Sequence, residues 1–156
     1  MTPFSNNATI CSFPRFCQAN ELPEGWSVAA LHALFARTLE GQALEVPTAV
    51  GFCMYIRRDC LDETGEFDAA SFGAGYGEEN DFCLRASGRG WQHLHALDTF
   101  VYHAGGASFS ARQQELQAAA LQAMRRLHPQ YEDLVREFVA RDPAREARRR
   151  VAALLG

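Results

Sequence analysis

Residues 73–85 read Gly73-Ala74-Gly75-Tyr76-Gly77-Glu78-Glu79-Asn80-Asp81-Phe82-Cys83-Leu84-Arg85. Three glycines in five positions make a loop in which backbone and ligand can approach closely. The acids that follow suit a first helical turn, where the helix dipole favours negative charge. The spacing predicts a helix over residues 78–87, stopped by Gly88 or Gly90. Two strands are expected after it, over 91–97 and 99–103. Before it, residues 49–57 (Ala-Val-Gly-Phe-Cys-Met-Tyr-Ile-Arg) are almost continuously apolar, the pattern of a buried strand.

Further upstream, Ser27 is a good N-cap for a helix over 28–39, with Leu31, Leu34, Phe35 and Leu39 at helical spacing and Gly41 as its stop. Residues 1–26 are punctuated by Pro3, Pro14 and Pro23 and read as irregular. From Ser110 onward the pattern is helical, in segments of about 111–127, 130–140 and 143–154 separated by His128-Pro129 and Asp142-Pro143. The fold class expected is therefore α/β over residues 1–110 with a helical tail over 111–156. Three or four strands are few for a complete doubly wound domain.

Composition excludes several classes. The chain has 156 residues, 47% of them hydrophobic and only 22% charged, enough to bury a core. No apolar run approaches a membrane span, and no basic-plus-apolar leader opens the sequence, so a cytoplasmic protein is expected. All 15 basic residues are arginine. Residues 1–110 hold six Arg against 13 acids, whereas residues 111–156 hold nine Arg against six. An acidic body does not suit nucleic acid. The basic tail, with Arg145, Arg148, Arg149 and Arg150 beside Val151, Leu154 and Leu155, allows a peripheral membrane contact, but a solvated helix packed on the core explains it more simply. The five cysteines form no Cys-x-x-Cys pair, so reduced, partly buried thiols are expected.

Among Glu78, Glu79 and Asp81, one carboxylate can serve as a general base, since crowded like charges raise a carboxyl pKa. On a helix Glu78 and Asp81 share a face and Glu79 points about 100° away. The commoner role of such acids is capping. His103, at a strand end before Gly105-Gly106, can ligate a metal or phosphate, or be structural. His93 and His95 read as surface or polar core. Asn6 and Asn7 suit a polyhydroxylated ligand or a turn, and Arg85, four residues after Asp81, suits an ion pair with it. Trp91 is either core or a sugar-stacking platform. No nucleophile elbow, P-loop or dinucleotide fingerprint is present.

Taken in order, residues 46–58, Gly65-Glu66-Phe67-Asp68, residues 75–85, Gly90-Trp91, and Val101-Tyr102-His103 through Gly106 to Ser108-Phe109 resemble the C-terminal half of a family 2 glycosyltransferase. The members it resembles build O-antigen and other bacterial cell-surface polysaccharides, rhamnosyltransferases among them, and residues 2–11 are also similar to that group. The resemblance implies a GT-A (Rossmann-like) fold. It implies inverting transfer of a sugar from a nucleotide-sugar donor to a glycan or lipid-linked acceptor, with Mn2+ or Mg2+ steadying the diphosphate. It assigns the base to Glu79, beside Glu78 and Asp81, the metal to His103, and an acceptor contact to Tyr76; Asn6, Asn7, Gly51 and Arg85 are the further candidates for substrate contact. The family's base is an Asp, so Glu79 carries one extra methylene. The family's Asp-x-Asp metal motif and nucleotide-binding half are not in this sequence. A partial domain is therefore expected, complemented by a missing N-terminal half or by a second copy of itself.

Overall fold

The computed structural model describes residues 1–73, 76–105 and 111–156. Its elements in chain order are β1 (Thr2–Phe4), α1 (Val28–Thr38), β2 (Ala43–Glu45), α2 (Arg58–Thr64), α3 (Ala69–Phe72), α4 (Glu78–Ser87), β3 (Leu94–Phe100), α5 (Ala111–Leu127), α6 (Tyr131–Arg141) and α7 (Arg145–Ala152). A 3₁₀ turn at Thr9–Cys11 follows β1.

The sheet has the order β1-β3-β2, with β1 parallel and β2 antiparallel to β3. β1 begins in a segment expected to be irregular. Three residues carry too little periodicity to be seen in sequence, and Pro3 argues against a strand interior. Pro3 is tolerated because β1 has a ladder neighbour on one side only. The two strands expected over 91–97 and 99–103 are a single strand, β3. The irregularity falls on the β1 side: Pro3 pairs with Ala96 and Phe4 with Phe100, so residues 97–99 bulge past β1. Leu97 N–H is not left unpaired, since it donates to Gln42 O at 3.0 Å.

The strand expected over 49–57 does not form. Tyr55 N–H donates to Met1 O (2.9 Å) and Tyr55 O accepts from the Met1 amine (2.7 Å), and Thr2 Oγ1 donates to Cys53 O (3.1 Å). The run thus lies beside β1 but meets only one residue with which to exchange backbone bonds. A ladder needs a partner at every second residue. After this run come α2 and α3, two short helices without the length for a recognisable period.

Helix α1 starts where expected, with Ser27 Oγ accepting from Ala30 N–H at 3.1 Å. Its Leu31, Leu34 and Phe35, with Leu39 beyond its end, are fully buried against Phe4, Phe13, Leu97, Phe100 and Val151. The Phe35 ring centre lies 5.1 Å from Phe4, 4.9 Å from Phe13 and 5.5 Å from Phe100. His95 and Leu97 of β3 face this cluster. His95 is wholly buried, its ring 4.1 Å from Phe4.

The tail is built into the same body. Ala120, Ala123 and Met124 of α5 pack on Phe72 and Leu84. Phe138 of α6 packs on Ile10, Cys11 and Val46, and Ala147 and Val151 of α7 enter the α1 cluster. Arg148 is buried, paired with Asp142 and lying 4.3 Å over the Phe16 ring. Ala147 and Val151 of α7 therefore face the core, whereas Leu154 just beyond it is exposed. Among the described residues no helix is long and apolar enough to cross a membrane. All five cysteines are free, with Cys11, Cys60 and Cys83 buried.

Candidate functional site

The acids of the glycine-led segment open α4 at its expected boundary. Gly77 has φ +85°, and a Cβ there would meet the Phe72 ring at 3.2 Å, so both backbone and space require glycine. The turn it makes fixes the angle at which Glu78, Glu79 and Asp81 leave the helix start.

The three carboxylates have different surroundings. Asp81 is buried and accepts from Arg85 Nε at 2.7 Å and His128 Nε2 at 2.8 Å. Arg85 then donates from Nη1 to Thr64 O (2.7 Å) and from Nη2 to Glu66 O (2.8 Å). This network ties α4 to the end of α2 and to the segment after α5. Arg85 was expected at a substrate. Its guanidinium is instead committed on all three nitrogens, so it positions α4 through Asp81. His128 belongs to the network and was missed, because it lies 47 positions from Asp81 and no local spacing links them.

Glu78 has a buried Oε2 with no partner among the described residues. Glu79 points elsewhere, as the 100° helical offset requires. It is half-buried, and desolvation, reinforced by the Glu78 charge, holds its carboxyl above the ordinary range. Asn80 Nδ2 donates to Glu79 Oε1 at 3.1 Å. Gly51 lies against it: a Cβ on Gly51 would stand 3.1 Å from Glu79 Cγ and 3.3 Å from its Cδ.

Glu79 lines a cavity of about 230 Å³ with Thr9, Thr48, Asn80, Tyr131 and Val135. Thr9 has φ +43°, strained for a β-branched residue, and its carbonyl accepts from Ser12 N–H (3.1 Å) and Cys17 N–H (3.2 Å). Tyr131 lines this cavity together with Thr48 and Glu79. Burial, then the Glu79 charge, pushes its phenol up to about 12. A larger cleft, about 350 Å³, lies around Met1, Met54, Ile56, Phe82 and Trp91, and among the described residues no carboxylate lines it. There Trp91 donates to Glu63 Oε2 at 2.9 Å and lies under the Arg57 guanidinium at 5.2 Å, which covers one face of the ring.

His103 is held from both sides. Its Nδ1 donates to Asn7 O at 2.6 Å, which fixes the proton on Nδ1 and leaves the lone pair of a neutral ring on Nε2. The ring stacks on Phe52 at 5.0 Å, and its backbone N–H donates to Asn6 Oδ1 at 2.8 Å. Asn6, expected at a ligand, is buried with its amide committed to Asn20 O and His103 O. It joins the β1 end to the β3 end instead. Asn7 contributes its carbonyl to His103, and Gly105 leaves room for its side chain, Asn7 Nδ2 standing 2.6 Å from where a Cβ would be. Tyr76 packs on the Phe72–Met124 cluster. The rest of the glycine loop, Ala74-Gly75, and residues 106–110 lie outside the described residues. Among the described residues no three His, Cys, Asp or Glu side chains gather to hold a metal. Among the described residues the polar groups at the His103 ring are the imidazole itself and the Asn7 carbonyl, a set that does not fit a protein-built site for Mn2+ or Mg2+.

Residues 26–130 match the family described as glycosyltransferase-like family 2. The chain belongs to this family. The match spans Gly51, the acid cluster and His103, and the three-stranded mixed α/β sheet is consistent with part of a GT-A domain. Members of the family generally use nucleotide-sugar donors and often a divalent metal, so the chain is glycosyltransferase-like in general function. No curated protein and no solved structure matches it.

Proposed function

We propose that the chain is the acceptor-side part of an inverting glycosyltransferase of bacterial cell-surface polysaccharide synthesis, working in the cytoplasm with Glu79 as the base. Residues 1–110 form the acceptor-side half and residues 111–156 a tail that completes it. A nucleotide-binding half comes from elsewhere in the protein or from another chain. The observation that carries this reading is Glu79: a carboxylate with raised proton affinity in a cavity, backed by Gly51 and steadied by Asn80. Higher proton affinity makes it a stronger base at the pH where it is still ionised. In the step, the acceptor hydroxyl gives its proton to Glu79 as its oxygen bonds the anomeric carbon. The bond from that carbon to the diphosphate breaks, and its electron pair leaves with the diphosphate. No step is assigned to a metal.

The test is release of nucleoside diphosphate from nucleotide-sugars by the chain, in its full gene context, compared with Glu79→Gln. Loss of about a hundredfold or more is expected for removal of a general base, and undiminished turnover removes Glu79 from the mechanism. The second reading, a non-catalytic remnant that binds a glycan or partner, is favoured by the lack of an Asp-x-Asp motif in these 156 residues. Calorimetry with a nucleoside diphosphate and Mn2+ separates the two, since tight binding by these 156 residues counts against a remnant.

A further inference from the structure

The cavity beside Glu79 is closed by the tail. Tyr131 and Val135 are four apart on α6 and share a helix face, and both line the cavity opposite Thr9 and Thr48. The family match ends at residue 130, so this wall is supplied by the first turns outside the matched stretch. The Tyr131 ring is anchored on the cluster of Phe72, Leu84 and Met124, and the same residue lines the cavity beside Thr48. That gives the cavity one aromatic-aliphatic wall and a set of polar groups: two threonines, an amide and a carboxylate. Such a lining matches a sugar ring, which offers a C–H face to one side and hydroxyls to the other. It does not match a phosphate or an acidic sugar. Among the described residues no arginine lines the cavity, and Glu79 would face the anion across a partly desolvated space.

We propose that Tyr131 is a specificity-determining residue, holding an uncharged sugar ring with the hydroxyl to be glycosylated turned toward Glu79, and that the cavity rejects acidic sugars. This rests on the transferase reading of the same site.

The test measures binding to the 156-residue chain by saturation-transfer NMR and calorimetry, using methyl glycosides of neutral hexoses and 6-deoxyhexoses against methyl glucuronide. The best neutral glycoside is expected to bind at least tenfold more tightly than the glucuronide. Tyr131→Phe keeps the ring and its packing and should fold. It is expected to weaken neutral binding about fivefold, and Tyr131→Ala more than tenfold. Glu79→Gln should raise glucuronide affinity, a response that a purely structural role for this region would not give. Equal affinity of Tyr131→Phe and wild type, equal affinity for the glucuronide, or no glycoside binding at all would each overturn the proposal. Its failure is separable from failure of the transferase reading. Glu79-dependent turnover with an acceptor KM unmoved by Tyr131→Phe sinks only the specificity role. Tyr131-dependent binding without turnover sinks only the transferase.

Discussion

Replacing Asp81 by alanine separates the structural acid of the cluster from the chemical one. Asp81 accepts two charge-assisted hydrogen bonds, from Arg85 at 2.7 Å and His128 at 2.8 Å, with its own side chain 3% exposed. Removing one member of a buried pair costs about 3–5 kcal/mol, because the partner is left charged and unpaired. Here the Arg85 side chain is 30% exposed and keeps Thr64 O and Glu66 O. Those contacts moderate its loss, so we expect the lower end, about 3 kcal/mol. For a chain of this length that lowers the melting temperature by about 6–12 °C. Asp81→Asn keeps the shape and part of the hydrogen bonding and should cost about 1–2 kcal/mol. Urea unfolding followed by circular dichroism reads both values, with an unchanged slope expected. A loss below about 1 kcal/mol for Asp81→Ala would refute the argument that this carboxylate is committed to holding α4, and would return it to the list of candidate bases.

Three further outcomes are expected. Gly51→Ala puts a methyl 3.1–3.4 Å from Glu79 atoms, so Glu79 must shift by a few tenths of an ångström; turnover should fall about tenfold with little change in melting, and wild-type turnover would show that Glu79 needs no such fit. The Glu79 carboxyl is raised in the folded chain, so the unfolded chain loses its proton first as pH rises and stability falls from the ordinary carboxylate range upward; Glu79→Gln should therefore gain on wild type at pH 7 relative to pH 4 in paired unfolding curves, and a constant difference would contradict the raised value. His95 is buried without a hydrogen-bond partner among the described residues, and burial, aided by Arg148, pushes it down to about 3. The folded chain therefore resists protonation and loses stability as pH falls below the ordinary histidine value, by about 2 kcal/mol at pH 5. His95→Leu should remove most of that acid sensitivity, and an unchanged pH profile would place the sensitivity elsewhere.

Much of this was legible along the chain because it depends on neighbours in sequence. The Ser27 cap, the Leu31–Leu34–Phe35 face of α1 and the Gly77–Glu78 start of α4 all follow from spacing, and each is found. The ordered motifs from residue 46 to 109 carried the family resemblance, and the match over residues 26–130 agrees. The stretch over 49–57 shows the limit of pattern. Its hydrophobicity reads as burial, yet within it only Ala49 is buried and Tyr55 is 67% exposed; a strand is a pair property, and only Met1 exchanges backbone bonds with this run.

The sequence by itself determined which residue types could do chemistry here, and where the helices that present them begin. Tertiary structure alone decided which of them are free to do it. Asp81 and Arg85 look like site residues until His128, Thr64 and Glu66 are seen to occupy them. Asn6 looks like a ligand contact until His103 is seen to occupy it from 97 positions away. Tyr131 looks like an ordinary helix residue until α6 brings it to Glu79. In the first two cases the reason is that hydrogen-bond capacity is finite, and in all three the outcome is settled by partners that only folding brings within reach.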